Sequence, residues 1–449
     1  MPSRSEGAEA RYPRAPLMST EPTAAEAAVA TPPVPAAPPA VAFTPYQKTV
    51  VAILAFLQFT IILDFMIISP LGALLLPQLH ITTKQFGFAV SVYAFAAAIS
   101  GILSAGYADK FDRKKLLMFF YMGFLGGTVF CGLAPTYELL IAARIVTGVF
   151  GGVIGSIVMA IVADLFPLTM RGRVMGLVQA AFSAAQVLGL SFGWQLAVHL
   201  GWHAPFLLIA GIGVVVGVII QMRLEPIDEH LKRPQREGNA FAHLVNTLIE
   251  PRYLYAVVTT MFMATGGFML MPFGSAFTIN NVGIASRSLS FIYFFSGLTT
   301  LFAGPLIGRF ADRRGRYITF VLGTLLTATM AFIYTHLGHT HIAIFIVISA
   351  LLFTGVTARI ISGQAIMSGV PDPAHRGSFM AVNTALSQAA GGVGALVAGM
   401  IVVQTPSGAL ARYDILGYVV IASMLLVAVL LRPIDRSVTA RAAAGRGHG

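Results

Sequence analysis

The sequence predicts an all-α integral membrane protein: twelve transmembrane helices in two six-helix pseudo-symmetric halves. Three observations carry this. Of 449 residues, 56% are hydrophobic and 10% charged, with a mean hydropathy of +0.79, whereas a soluble chain carries about 25% charged residues. Apolar stretches of about 20 residues, long enough to cross a hydrocarbon core, recur along the chain. An acidic and basic turn is also duplicated: Ala105-Gly106-Tyr107-Ala108-Asp109-Lys110-Phe111-Asp112-Arg113-Lys114 returns as Gly308-Arg309-Phe310-Ala311-Asp312-Arg313-Arg314-Gly315-Arg316-Tyr317, pairing Asp109 with Asp312 and Arg113 with Arg316 at an offset of 203 residues. A repeat of that length implies two similar helical halves that can rock about a central site.

The spans read at 50–76, 86–107, 116–133, 138–163, 174–198, 204–222, 254–278, 289–308, 317–335, 342–366, 379–403 and 413–431. Residues 1–45 are rich in Pro and Ala and have no apolar run, so they read as a disordered cytoplasmic tail and not as a signal peptide. Residues 46–222 form the N-terminal six-helix bundle and 253–432 the C-terminal one. Between them, 223–252 mixes both signs of charge (Arg223, Glu225, Asp228, Glu229, Lys232, Arg233, Arg236, Glu237), as a solvated cytoplasmic linker would. Residues 433–449 are a second cytoplasmic tail.

With the N-terminus inside, 24 of the 29 Lys and Arg fall in the tails and cytoplasmic loops, three in outer loops (Lys84, Arg287, Arg412) and two inside spans. The positive-inside rule then places both termini in the cytoplasm and the protein in the inner (plasma) membrane. The formal charge of +11 faces the anionic inner leaflet, and no basic domain for nucleic acid is present. One cysteine, Cys131, excludes an intramolecular disulfide and a CxxC metal site. His336, His339 and His341 cluster without an acidic partner, so no metal is expected. No phosphate-cradling GxxxxGK[ST] loop occurs either: the expected energy source is a proton gradient and no cofactor.

Ionisable groups inside spans are costly and are usually kept for function. Three appear: Asp64, Arg144 and Arg359. Met271-Pro272-Phe273-Gly274 repeats Ser69-Pro70-Leu71-Gly72 at offset 202 and puts Gly266 at the position of Asp64, so the duplicated framework is chemically asymmetric. A carboxylate in a low-dielectric cavity is a candidate proton carrier, and Arg144 is its natural partner, whether as a fixed structural pair or as a modulator. Gly148 and Gly152 follow Arg144 at i+4 and i+8 and suit close helix packing. Arg359 aligns with Ile154 and has no counterpart. It either snorkels or faces carbonyls, water or an anionic ligand. Gln179 and Gln186 share one face of the fifth span, and Asn383 and Gln388 lie in the eleventh; each amide can line a pore or bond a neighbouring helix. Met261, Met263, Met269 and Met271 crowd the seventh span, as lipid-facing side chains or as an adaptable cavity wall.

These residues resemble the major facilitator superfamily, and more narrowly its twelve-helix drug:proton antiporters and arabinose (sugar) efflux permeases. The family's loop signature, GxLaDrxGrk, is matched at 308–317, while the first copy has Ala105 at the leading Gly and Asp112 at the second. The resemblance implies that Asp109, Lys110, Arg113, Asp164, Arg171, Gly308, Asp312 and Arg316 belong to cytoplasmic gates that latch the halves shut. Arg144-Ile145-Val146-Thr147-Gly148 resembles the fourth-helix RxxxG signature. The antiporter GPxxGG stretch is only partly kept in Gly189-Leu190-Ser191-Phe192-Gly193-Trp194.

The expectation is therefore a secondary carrier, not an enzyme, that works as a monomer by alternating access and moves a small molecule in exchange for protons. Proton symport or facilitated uptake of a sugar or organic metabolite is the alternative. A scramblase or membrane-embedded enzyme would need a lipid-open hydrophilic groove or a catalytic constellation, and neither is visible. The orientation is testable: in a Cys131→Ser background, cysteines at Lys114 and Arg314 should react with an impermeant maleimide only from the cytosol, and one at Arg287 only from outside. Outside labelling at Lys114 would invert the topology.

Overall fold

The computed structural model describes residues 43–104, 107–232, 250–372 and 376–446; the N-terminal tail and most of the linker lie outside them. Among the described residues twelve helices are long and apolar enough to cross a membrane: Pro45–Gln78, Thr83–Ser104, Arg113–Leu133, Tyr137–Leu165, Met170–Leu200, Ala204–Arg223, Pro251–Asn280, Ser286–Arg314, Arg316–Thr335, Ile342–Met367, Phe379–Ile401 and Tyr413–Arg441. The first opens with a capping box: the Gln47 amide donates to Thr44 Oγ1 and the Thr44 amide to Gln47 Oε1, both at 3.1 Å, which satisfies N–H groups that no helical carbonyl can reach. Asp112 and Thr136 cap the third and fourth helices more simply, each side chain accepting one backbone amide, from Lys115 and Leu139.

Two helices depart from regularity. The fifth contains a π-turn over Ala185–Gly189, and Ser191 Oγ donates 2.7 Å to the Val187 carbonyl there, compensating a disturbed ladder. The seventh stops at Phe268, passes through a 3-10 turn at Met271–Phe273 that holds Pro272, which supplies no backbone donor, and resumes over Gly274–Asn280. The last helix runs to Arg446 through Pro433, so most of the stretch read as a C-terminal tail continues the twelfth helix. A two-residue antiparallel pairing, Val403–Gln404 with Leu410–Ala411, is the one departure from helix and turn among the described residues, and Asn281 fixes it by bonding both polar groups of Leu410.

The halves meet along the second and eleventh spans, where glycines bring backbones together: a Cβ on Gly87 would stand 2.7 Å from the Ala395 carbonyl oxygen, and one on Gly399 2.7 Å from that of Thr83. Near the pseudo-two-fold the repeated stretches touch, with a Cβ on Gly72 falling 3.0 Å from the Pro272 carbonyl oxygen. Among the described residues four hydrogen bonds join the halves: Thr83 Oγ1 to Val402 O at 2.7 Å, Ser91 Oγ to Gly392 O at 2.7 Å, Trp194 Nε1 to Ser286 O at 2.8 Å and Gln195 Nε2 to Ser290 Oγ at 2.8 Å. All lie in the half of the bundle away from the Phe43 and Arg446 ends. The seam is closed at that far side by direct protein contact.

Trp194→Phe keeps an aromatic ring but removes the donor to Ser286. A cysteine placed at Ser290, otherwise buried, should then react faster with a soluble maleimide than in the Trp194 parent. Equal rates would show that the seam does not depend on this tie.

Candidate functional site

The first span carries Asp64 into the interior on the same face as Thr60, Leu57 and Ile68. There Arg144 Nη1, from the fourth span, donates 2.9 Å to Asp64 Oδ2, and both side chains have 0% exposure. The same nitrogen reaches the Asp64 carbonyl at 3.3 Å, and Thr128 Oγ1 on the third span lies 3.2 Å from Asp64 Oδ1. Tyr93 of the second span covers the guanidinium, ring centroid 4.4 Å from Cζ. Arg144 Nε and Nη2 find no hydrogen-bond partner among the described residues.

The magnitudes rank these contacts. Taking each ion out of water costs several kcal/mol, so charge pairing decides whether the site holds. The ring over the guanidinium adds about 1–2 kcal/mol, and the Thr128 bond about 1 kcal/mol. Close approach of the second and fourth spans makes the cluster possible, since a Cβ on Gly148 would stand 2.6 Å from the Tyr93 carbonyl oxygen and one on Gly152 would strike the backbone of Ala97. The glycines position the site through packing.

Aromatic contacts lead from the pair to the other half. Phe65, next to Asp64, packs on Tyr93 at 5.4 Å between centroids and edge-on against Phe268 at 5.6 Å. Phe268 is the last residue before the break in the seventh helix. Beside it lies a void of about 10 Å³ lined by Phe65, Ser69, Ala94, Met271, Pro272 and Gly392, room for about one water. Ion pair, aromatic bridge and helix break are thus contiguous.

The other candidates sit elsewhere. Arg359, 3% exposed, is buried in the second half with its Cζ 5.5 Å from the Phe320 ring centroid, and no hydrogen bond or ring contact links it to Asp64 among the described residues. Gln186 lies in the π-turn with Oε1 unpartnered, and Asn383 is buried with Oδ1 in the same condition. Gln388 is half-buried. The Gln179 side chain is outside the described positions.

In the turn after the second span, Arg113 Nε bonds Asp164 Oδ2 at 3.1 Å and its Nη1 the Ala108 carbonyl at 3.0 Å. This pair joins the third and fourth helices of one half, and no hydrogen bond from this turn reaches the other half among the described residues. Lys110 is exposed, and the Asp109 side chain is not described. Arg171 closes the fourth helix by donating to the Phe166 and Ala163 carbonyls. In the second copy Arg316 Nη1 donates to the Ala365 carbonyl at 3.1 Å, and Asp312 and Gly308 face open space. Gly315 adopts φ 103°, a left-handed turn suited to glycine. Asp112 occupies the equivalent place in the first copy, where Oδ1 caps the Lys115 amide and Oδ2 takes the Ile227 amide, both at 2.8 Å. The departure from the repeat therefore swaps a glycine turn for a carboxylate that pins the start of the linker.

The Major Facilitator Superfamily model matches residues 54–277 and 256–448. The chain belongs to that superfamily. Its relatives include the uncharacterized MFS-type transporter YceJ of Bacillus subtilis (strain 168), 27% identical over 86% of this chain and 97% of that protein. Multidrug resistance protein 2 of the same organism is 24% identical over 62% of this chain and 72% of its own length. The crystal structure of a bacterial homolog to the human lysosomal transporter Spinster, inward-facing and unoccupied, shares the fold at TM-score 0.65 and 16% identity, covering 88% of this chain and 97% of that one. This major facilitator is accordingly a multi-pass membrane protein and a secondary transporter.

Sequence reasoning missed Thr128, Tyr93, Phe65 and Phe268 as parts of the site, Asp112 as a tether and Trp194 as a tie between halves. Trp194 and Asp112 left a signal, each as the replacement of a family glycine. Arg144→Gln strands the Asp64 carboxylate and should cost about 3–5 kcal/mol. Asp64→Asn combined with Arg144→Gln should recover part of that loss, read as melting temperature in detergent; a double variant no more stable than Arg144→Gln would mean that the pair is not the source.

Proposed function

We propose that this major facilitator exports a small molecule in exchange for protons, with Asp64 as the proton carrier and Arg144 as its exchangeable partner. The observation that carries the reading is the fully buried Asp64–Arg144 pair, in contact through Phe65 with the opposite half. A proton on Asp64 removes the negative charge that offsets the burial of Arg144. A guanidinium does not shed its charge, so Arg144 must then find water or ligand, and its Nε and Nη2, which have no hydrogen-bond partner among the described residues, can serve. Movement of the first span relative to the fourth then displaces Phe65 against Phe268 at the break in the seventh helix, which biases the halves toward the other access state.

Direction and orientation belong to the same reading. Both termini face the cytoplasm of a cell whose inner membrane holds the protein as a monomer, and the far-side seam closes the outer face. Arg113, Asp164 and their neighbours would then latch the cytoplasmic ends when the seam opens, since Arg113 is satisfied within its own half in the present arrangement. The relative named multidrug resistance protein 2 supports efflux. Symport or facilitated uptake is the second reading, favoured by Leu190 and Trp194 where antiporters of this type carry Pro and Gly.

Asp64→Asn, nearly isosteric, should abolish transport driven by a pH gradient in proteoliposomes while substrate counterflow without net proton movement persists. Gradient-driven transport equal to the parent across pH would make Asp64 structural and favour uniport.

A further inference from the structure

Arg359 poses a different problem from Arg144. It is 3% exposed, it sits well inside the tenth span (Ile342–Met367), and a guanidinium cannot escape burial by losing its proton. Its Nε and Nη2 have no hydrogen-bond partner among the described residues. These two nitrogens form one edge of the guanidinium, the fork that takes both oxygens of a carboxylate or phosphate. Phe320 lies under the group at 5.5 Å, and a Cβ on Gly323 would stand 3.2 Å from the Arg359 amide nitrogen, so its ninth-span neighbours there are an apolar ring and bare backbone. One turn beyond Phe320, Thr324 buries a hydroxyl that is also unpartnered.

Among the described residues no carboxylate pairs with Arg359. Gly266 stands where the first half has Asp64, the apolar stretches 254–278, 289–308, 317–335, 342–366 and 379–403 contain no Asp or Glu, and the one in 413–431, Asp414, is exposed at the opening of the last helix. A buried arginine with an unpartnered bidentate edge and no paired carboxylate among the described residues is suited to receive a mobile anion. We propose that Arg359 receives the carboxylate or phosphate of the transported molecule, which makes organic anions the substrate class. This deepens the exporter reading, on which it rests for treating Arg359 as part of the transported molecule's path.

The test is binding, measured without any proton gradient, so that failure of proton coupling and failure of this site are separable. Full-length protein in phosphatidylcholine nanodiscs is titrated with benzoate, phenyl phosphate and neutral benzamide, with melting temperature as the readout. The two anions should stabilise the parent and benzamide should not. Arg359→Met should abolish the anion response and raise the ligand-free melting temperature, because an uncompensated charge has gone. Arg359→Lys, with charge but no fork, should respond with about tenfold weaker affinity. A parallel set of discs containing phosphatidylglycerol separates the two sources of the anion: if that lipid alone stabilises the parent through Arg359 and removes the benzoate response, the occupant is a headgroup, and if it changes nothing, the occupant is a soluble anion. An anion response unchanged in Arg359→Met, no anion response of the parent in either disc, or an Arg359→Met that melts below the parent without ligand would overturn the proposal.

Discussion

A single ion pair sets the terms for this protein. Asp64 and Arg144 share an interior with no exposure to solvent, where each ion alone would cost several kcal/mol. Everything around them serves that constraint. Gly148 and Gly152 let the second span approach closely enough for Tyr93 to roof the guanidinium, Thr128 supplies the carboxylate with a further donor, and Phe65 carries the packing across to Phe268. A pair held this tightly is poor evidence for stability, because apolar residues of equal volume would serve that end as well. It is better evidence for a switch, since one proton changes the balance of the whole cluster.

The two halves repeat a framework and differ in chemistry. Pro70 and Pro272 occupy equivalent places, yet the first span stays helical through its proline while the seventh breaks into a 3-10 turn. Asp64 faces Arg144 in one half; in the other, Arg359 Nε and Nη2 have no hydrogen-bond partner among the described residues. The loop motifs diverge likewise, with an ion pair and a linker tether on one side and a carbonyl contact and a glycine turn on the other. The pseudo-symmetric scaffold thus holds a carboxylate–arginine pair in one half and, among the described residues, an arginine without an ion-pair partner in the other.

Much of this was legible in the sequence, for definite reasons. The twelve spans could be read because backbone groups in lipid must be satisfied within each helix, which forces long apolar runs. Asp64, Arg144 and Arg359 stood out because charge in such runs is costly, and Asp164 could be matched to Arg113 because one closes the fourth helix and the other opens the third at the same end. The rest depends on neighbours distant in the chain. Thr128 and Tyr93 look like ordinary interior residues until the third and second spans are brought beside the first. The π-turn at Ala185–Gly189 has no compositional mark. Asp112 read as a lapse in a repeat, and its purpose appears only when Ile227 is found against it.

The central claim is that the protonation state of Asp64 sets which end of the bundle is open. It is tested most directly by spin labels on Lys115 and Arg314, exposed residues at the terminal ends of the two halves, with inter-label distances measured by electron double resonance across pH in nanodiscs. The account predicts two distance populations whose ratio changes with pH in the parent and is fixed in Asp64→Asn. A ratio that titrates identically in both proteins would contradict it.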